Sequence, residues 1–284
     1  MLSSILRFEL RQQFGNPVFW VVAAVFALLA FGATSSEAVR VGGAIGNVHR
    51  NAPSTIINLL VNFSVLSMFL VTIFVAGGAL RDFDNRTAEL FFTTPVRKRD
   101  YLLGRFLGGY LATLGVMAAV SLAIMVGTVM PWLDPERLGP FMLEPYVWSF
   151  GVLIVPNLLF VSALLFCLAV VTRSMLATYI GVIAYFALSV VTAVLTADLD
   201  TRWVGAMLDP FGAQAIADVT RYWSPEQLNT EVPAIDSVLS KSPDALSRRA
   251  NSITSPGSPR SATISAIASN AAPAIGSTKS ADET

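Results

Sequence analysis

The sequence predicts an all-α polytopic membrane protein: five transmembrane helices followed by a disordered C-terminal tail. Three observations lead there. Five apolar runs, 18–33, 56–80, 106–129, 148–171 and 175–197, occupy most of the first 197 residues. A helix needs roughly 20 such residues to cross a hydrocarbon core about 30 Å thick. The 284-residue chain is 54% hydrophobic and only 13% charged, where soluble domains carry about 25% charged residues. The apolar pattern then stops near Ile235. Residues 236–284 are rich in Ser, Ala and Pro and contain no aromatic residue, a composition that buries too little apolar surface to fold. The resulting division is a membrane domain over 1–197 with a charged loop at 81–105, a loop at 198–235, and a tail at 236–284.

Each run has its own boundaries. Arg7 and Arg11 precede the first, which ends in Gly32-Ala33-Thr34-Ser35. That ending allows a cleavable signal peptide, but the bulky, Trp-containing run and the four that follow fit an uncleaved span better. Asn51-Ala52-Pro53 opens the second run, Asn as a helix N-cap and Pro in the first turn. His49 and Arg50 then sit at the membrane boundary, as interfacial anchors or as contacts for a lipid headgroup. Gly104, Gly108 and Gly109 form a GxxxG and its neighbour at the start of the third run, where small residues let helices approach. Pro131-Trp132 ends that run, the Trp suiting an interfacial belt. Pro156 interrupts the fourth and should kink it. Asn157 beside it is a polar group at membrane depth, placed for helix packing or for substrate contact. Cys167, the sole cysteine, reads as a buried, inert thiol.

Composition narrows the function. Zero net charge gives no bulk attraction to nucleic acid. One His and one Cys, far apart, make no His/Cys metal cluster. HExxH, GxSxG and GxxxxGK[ST] are all absent from the sequence, so a metallopeptidase, a nucleophile-elbow hydrolase and a P-loop ATPase are each unsupported. No catalytic residue and no metal ligand is predicted. No charge lies deep in any run, which counts against a proton-coupled carrier and against a membrane-embedded enzyme.

Positive charge sets the expected orientation. Arg81, Arg86, Arg97, Lys98, Arg99 and Arg105 cluster between the second and third runs, and such clusters stay on the cytoplasmic side. Alternation puts the N-terminus and the break Thr172-Arg173-Ser174 on that side too. The opposite side carries Asp134, Glu136, Glu144, Asp198, Asp200 and Asp209.

That loop has further structure. Residues 81–92 read as a short interfacial helix, with Asp84 and Asn85 as candidate caps. Leu90, Phe91 and Phe92 are too few to cross a bilayer but enough to lie on one or to fill a groove on a partner. Thr93-Thr94-Pro95 breaks the helix.

The stretch TAELFFTTPVRKRDYLLGRFLGG (87–109) resembles the coupling segment of ABC type-2 exporter permeases. The likeness is closest to the membrane part of permease–aminopeptidase fusion proteins. It includes NVHRNAP (47–53), LRDFDNRTAELFFTTP (80–95), MPWLDPERLGPF (130–141), TRSMLATYIGV (172–182), LDPFG (208–212) and TRYW (220–223), and extends from about residue 8 to 235. It implies a permease subunit without ATPase chemistry of its own, in a bacterial inner membrane with its N-terminus cytoplasmic. The partners it implies are an ATP-binding cassette subunit, which would carry ATP and Mg, a second permease half and the lipid bilayer, but no nucleic acid. Residues 87–92 would be the coupling helix, with Leu90, Phe91 and Phe92 inserting into the partner and Glu89 pairing with Arg97 at its rim. Thr94, Pro95 and Lys98 complete the expected coupling set. Pro156 and Asn157 are the candidates for the pathway or its packing, and His49 and Arg50 for touching exported cargo.

Two departures from the family pattern qualify what the resemblance implies. Such permeases carry a sixth span, whereas here the pattern ends near Ile235; the tail reads as a linker or, better, as out-of-frame sequence after a truncation. The aminopeptidase-like domain is absent, so no peptidase role carries over. A non-transporting anchor or scaffold, or an inactive truncated permease, is the competing expectation.

Overall fold

The structure, a computed structural model, describes residues 2–36, 48–84, 97–195 and 211–233, of which 82–84, 192–195, 214, 215 and 218 are described by backbone alone. All of them belong to one unit, Met1–Val238. Among the described residues every regular element is helical. Four helices are long and apolar enough to cross a membrane: Pro17–Ser35, Pro53–Arg81, Lys98–Gly127 and Glu144–Thr172. This is the build of a multi-pass membrane protein, and these helices are the first to fourth spans below. A fifth apolar helix, Met175–Leu195, follows the fourth after a tight turn. The turn depends on Arg173, whose left-handed backbone (φ 50°) ends the fourth span.

The helices overrun the apolar runs because hydrogen bonding, not hydropathy, decides where a helix ends. Asn16 caps the first span, its Oδ1 accepting from Val18 N at 3.0 Å, with Pro17 in the first turn. The third span starts at Lys98 rather than at 106, so Arg105 lies two turns inside a helix instead of in a loop. Residues 81–84 likewise continue the helix Gly77–Asp84 at the end of the second span and do not begin a new interfacial helix. Asn51 is not the cap of the second span; Ala52 holds that position and makes no side-chain cap bond.

Two π-helical turns interrupt the spans, Thr72–Ala76 in the second and Ser149–Ile154 in the fourth. Pro156 is the second residue after the latter. A proline has no N–H to give, and a widened turn ahead of it takes up the missing bond. A π turn thus stands just ahead of the position where a kink is expected.

The sequence pattern did not mark the N-terminal helix Leu2–Gly15. It lies along the third span. A Cβ on Gly104 would come within 2.6 Å of Ile5 Cγ2, and one on Gly108 would land on Glu9 Cγ. The second span is the central one: 72% of its most apolar stretch is buried, against 28%, 44% and 33% for the first, third and fourth. Gly109 lets it meet the third span backbone to backbone, since a Cβ there would come within 2.6 Å of Phe74 O. Phe74, Val116, Met117, Val120, Leu158 and Val161 form the middle of the shared core. Cys167, expected to be buried, is exposed, because the fourth span turns much of its surface outward.

Candidate functional site

A buried ion cluster holds three segments together at one end of the bundle. Glu9 lies on the inward stripe of the N-terminal helix, with Leu2, Ile5, Leu6 and Gln13 above and below it. It is fully buried. Arg105 Nη1, from the third span, donates to Glu9 Oε2 at 2.7 Å. Arg81 Nη2, from the end of the second span, lies 3.6 Å from Glu9 Oε1. Gln13 Nε2 donates to Glu9 Oε1 and to Phe74 O, both at 3.3 Å. Phe74 belongs to the π turn Thr72–Ala76, so Gln13 connects that irregular turn to the ion cluster. The Arg105 guanidinium also lies 5.6 Å from the centre of the Tyr101 ring.

Elementary electrostatics explains the arrangement. An uncompensated carboxylate taken out of water costs several kcal/mol or more, so it persists only when paired and hydrogen-bonded. Here the glycines make the socket. Gly108 provides the room in which the Glu9 stem sits, and a Cβ on Gly78 would come within 3.4 Å of Glu9 Oε1. The GxxxG of the third span is therefore the seat of the N-terminal helix. Two cations share one carboxylate. The Nη1 of Arg81 is buried and makes no hydrogen bond among the described residues.

The position of this cluster is its chief property. Arg81 precedes residues 85–96 and Arg105 follows them. Both flanks of that stretch, and the N-terminal helix, are tied to the same carboxylate. Of the coupling residues expected from sequence, Glu89, Leu90, Phe91, Phe92, Thr94 and Pro95 lie outside the described residues, as does any Glu89–Arg97 pair. Arg97 and Lys98 are described and exposed, at the N-cap and first position of the third span.

The other expected sites gather at the opposite end. Asn51 grips the loop before the fourth span in both directions: its Nδ2 donates to Gly139 O at 2.7 Å, and its Oδ1 accepts from Gly139 N at 2.7 Å. The backbone N–H of His49 donates to Asn229 Oδ1 at 2.8 Å, and the Arg50 guanidinium donates to Ser36 O. Trp132 Nε1 donates to Ser35 O at 3.2 Å. Residues 48–53 and 130–141 are thus joined in one polar cap, completed by the helices Ala213–Thr220 and Pro225–Thr230. Asn157 belongs with them: its Nδ2 donates to Phe211 O at 2.7 Å, so this amide binds loop backbone and not another span. Pro156 is exposed.

Sequence reading missed Glu9, Gln13 and the placement of Arg105. Charged and amide residues on the buried face of a helix break the apolar period that reveals such a face. The available signal was the 2-5-6-9-13 spacing with a Glu inside it and a GxxxG to receive it.

Among the described residues no group of three or more His, Cys, Asp or Glu is placed to hold a metal ion. No family model matches the chain, and no curated protein or solved structure does so either.

Proposed function

We propose that this chain is the membrane-spanning permease subunit of an ATP-driven exporter of the ABC type-2 kind, coupling nucleotide hydrolysis on a separate chain to movement of its own spans. The observation that carries this reading is the shared carboxylate. Glu9 joins the N-terminal helix to Arg81 and Arg105, on the two flanks of residues 85–96, the stretch whose sequence resembles a coupling segment. A loop that receives force from a partner needs a stiff mount. The Glu9–Arg105 pair at its centre is stiff, because each displacement separates buried charges at low dielectric. Force on 85–96 reaches the second and third spans through Arg81 and Arg105, and the N-terminal helix through Glu9.

In this reading the ion-cluster end faces the cytoplasm of a bacterial inner membrane and the polar cap faces outward. Met175–Leu195 is the fifth span. ATP and Mg bind the partner chain, and two permease halves enclose the path. Nucleotide-driven closure of the partners biases a two-state arrangement of the spans.

The test is a gentle-detergent pull-down from native membranes, comparing the unaltered chain with a Leu90→Asp/Phe91→Asp variant and assaying ATP hydrolysis in the eluate. An ATPase subunit captured by the first and lost with the second is the expected result. No ATPase with either overturns the reading and leaves a membrane anchor, while equal capture by both moves the coupling site away from Leu90 and Phe91.

A further inference from the structure

We infer that the outward face of the N-terminal helix binds the phosphate of an anionic phospholipid headgroup, through Arg7 and Arg11. That face lies opposite the ion cluster. At 100° per residue the two arginines fall about 40° from each other and about 160° from Glu9. Both are exposed, and their guanidiniums make no ion pair or hydrogen bond among the described residues. The sole acid of the helix Leu2–Gly15 is Glu9, which is committed to Arg105 and Arg81. Two like charges one turn apart repel each other and disfavour the helix that carries them. An anion set between them removes that repulsion. At about 5–6 Å between Cβ atoms, both guanidiniums can donate to the oxygens of one phosphate.

The neighbouring side chains assign that phosphate to a lipid. Phe8 and Phe14 stand on either side of the arginines, 61% and 41% exposed. Bare rings beside cations suit the boundary between headgroups and acyl chains. The same face continues into the side of the first span where Val21, Val25 and Leu28 are exposed, a surface for lipid tails. Trp20 joins the two: its Nε1 donates to Phe14 O at 2.9 Å while its ring stays exposed. A Trp with a bonded N–H and a bare ring marks the edge of the hydrocarbon. Arg11 stands three residues, about 4.5 Å, before Phe14, within a headgroup layer about 5–7 Å deep. The helix is then held from both sides, by Arg105 and Arg81 inside the protein and by a lipid phosphate outside it. This requires only that the chain spans a membrane and does not rest on the exporter reading.

The test is a lipid titration of the full chain purified in a neutral detergent, with melting temperature read by fluorescence-detected size-exclusion chromatography. Dioleoyl-phosphatidylglycerol should raise the melting temperature, and dioleoyl-phosphatidylcholine, which has no net charge, should do so much less. In Arg7→Gln/Arg11→Gln the midpoint of the phosphatidylglycerol titration should rise about 30-fold, each cation contributing about fivefold in affinity for an anionic surface. Without lipid this variant should melt within about 2 °C of the unaltered chain, as exposed substitutions do. Arg7→Lys/Arg11→Lys keeps both charges and should restore most of the affinity. Three results overturn the inference: equal stabilisation by the two lipids, an unmoved midpoint in the Gln variant, or the same stabilisation by inorganic phosphate alone, which marks a site for a free anion. An unmoved midpoint together with loss of a protein captured from native membranes assigns the face to a partner chain instead. The purified chain carries no ATPase, so these outcomes are separable from failure of the exporter reading.

Discussion

Replacing Glu9 by Gln keeps the size of the side chain and removes the charge that Arg105 and Arg81 share. The two cations fare differently. The Arg105 side chain is 6% exposed, so removing the carboxylate at 2.7 Å takes a close ion-pair partner from a buried charge. Breaking a buried pair from one side costs about 3–5 kcal/mol. The Arg81 side chain is 27% exposed and 3.6 Å away, and a solvent-screened pair of that kind is worth about 1 kcal/mol or less. For a chain of this size about 1 kcal/mol corresponds to 2–4 °C of melting temperature. Glu9→Gln and Arg105→Gln should therefore each lower the melting temperature of the detergent-purified protein by about 6–20 °C, and Arg81→Gln by about 4 °C or less. The double variant Glu9→Gln/Arg105→Gln should recover about 1–3 kcal/mol relative to the sum of the singles, since both charges of the pair are then removed together. Fluorescence-detected size-exclusion chromatography after a heating series reads all four. Additive losses, or Arg81→Gln as harmful as Arg105→Gln, would refute the claim that this is a water-excluded pair.

Further substitutions probe the other contacts. Gly109→Ala drives a methyl onto the Phe74 carbonyl and should cost about 1–3 kcal/mol by overpacking. Gly151→Ala meets nothing within 4 Å and serves as the near-neutral control in the same heating series. Gly108→Val removes the seat of Glu9 and should free the N-terminal helix, seen as faster proteolysis after Arg7 or Arg11 in membranes. Asn51→Ala breaks both bonds to Gly139, leaving part-buried backbone groups unpaired at about 1–3 kcal/mol. Hydrogen exchange of residues 135–141 should quicken as a result. Asn157→Leu should do the same for Phe211 and its neighbours by removing the 2.7 Å bond, while leaving the thermal behaviour of the ion cluster unchanged.

The four apolar helices were legible in the sequence, because crossing a hydrocarbon core is a demand on length and composition that any window of the chain displays. The same holds for the break at residues 172–174 and for Pro53, which opens the second span. Their ends were less legible. Lys98 and Arg105 look like loop residues to a hydropathy scale, but a helix continues as long as its backbone bonds are made. The site was the least legible part. Glu9, Arg81 and Arg105 are scattered along the chain, and a carboxylate on a buried face looks in sequence like one on a solvated face. Asn51 and Asn157 were noticed for their residue type and position, yet their partners, Gly139 and Phe211, are distant in sequence.

The sequence by itself determined that the chain makes apolar helices of membrane-crossing length, since that depends on local composition alone. Only the tertiary structure decided that an N-terminal Glu lies between two arginines, and that two more arginines on the far side of its helix stand bare. Those facts depend on which helix faces lie against one another. That arrangement is set by the glycines at 104, 108 and 109, where the absence of a side chain lets two backbones and a carboxylate come close.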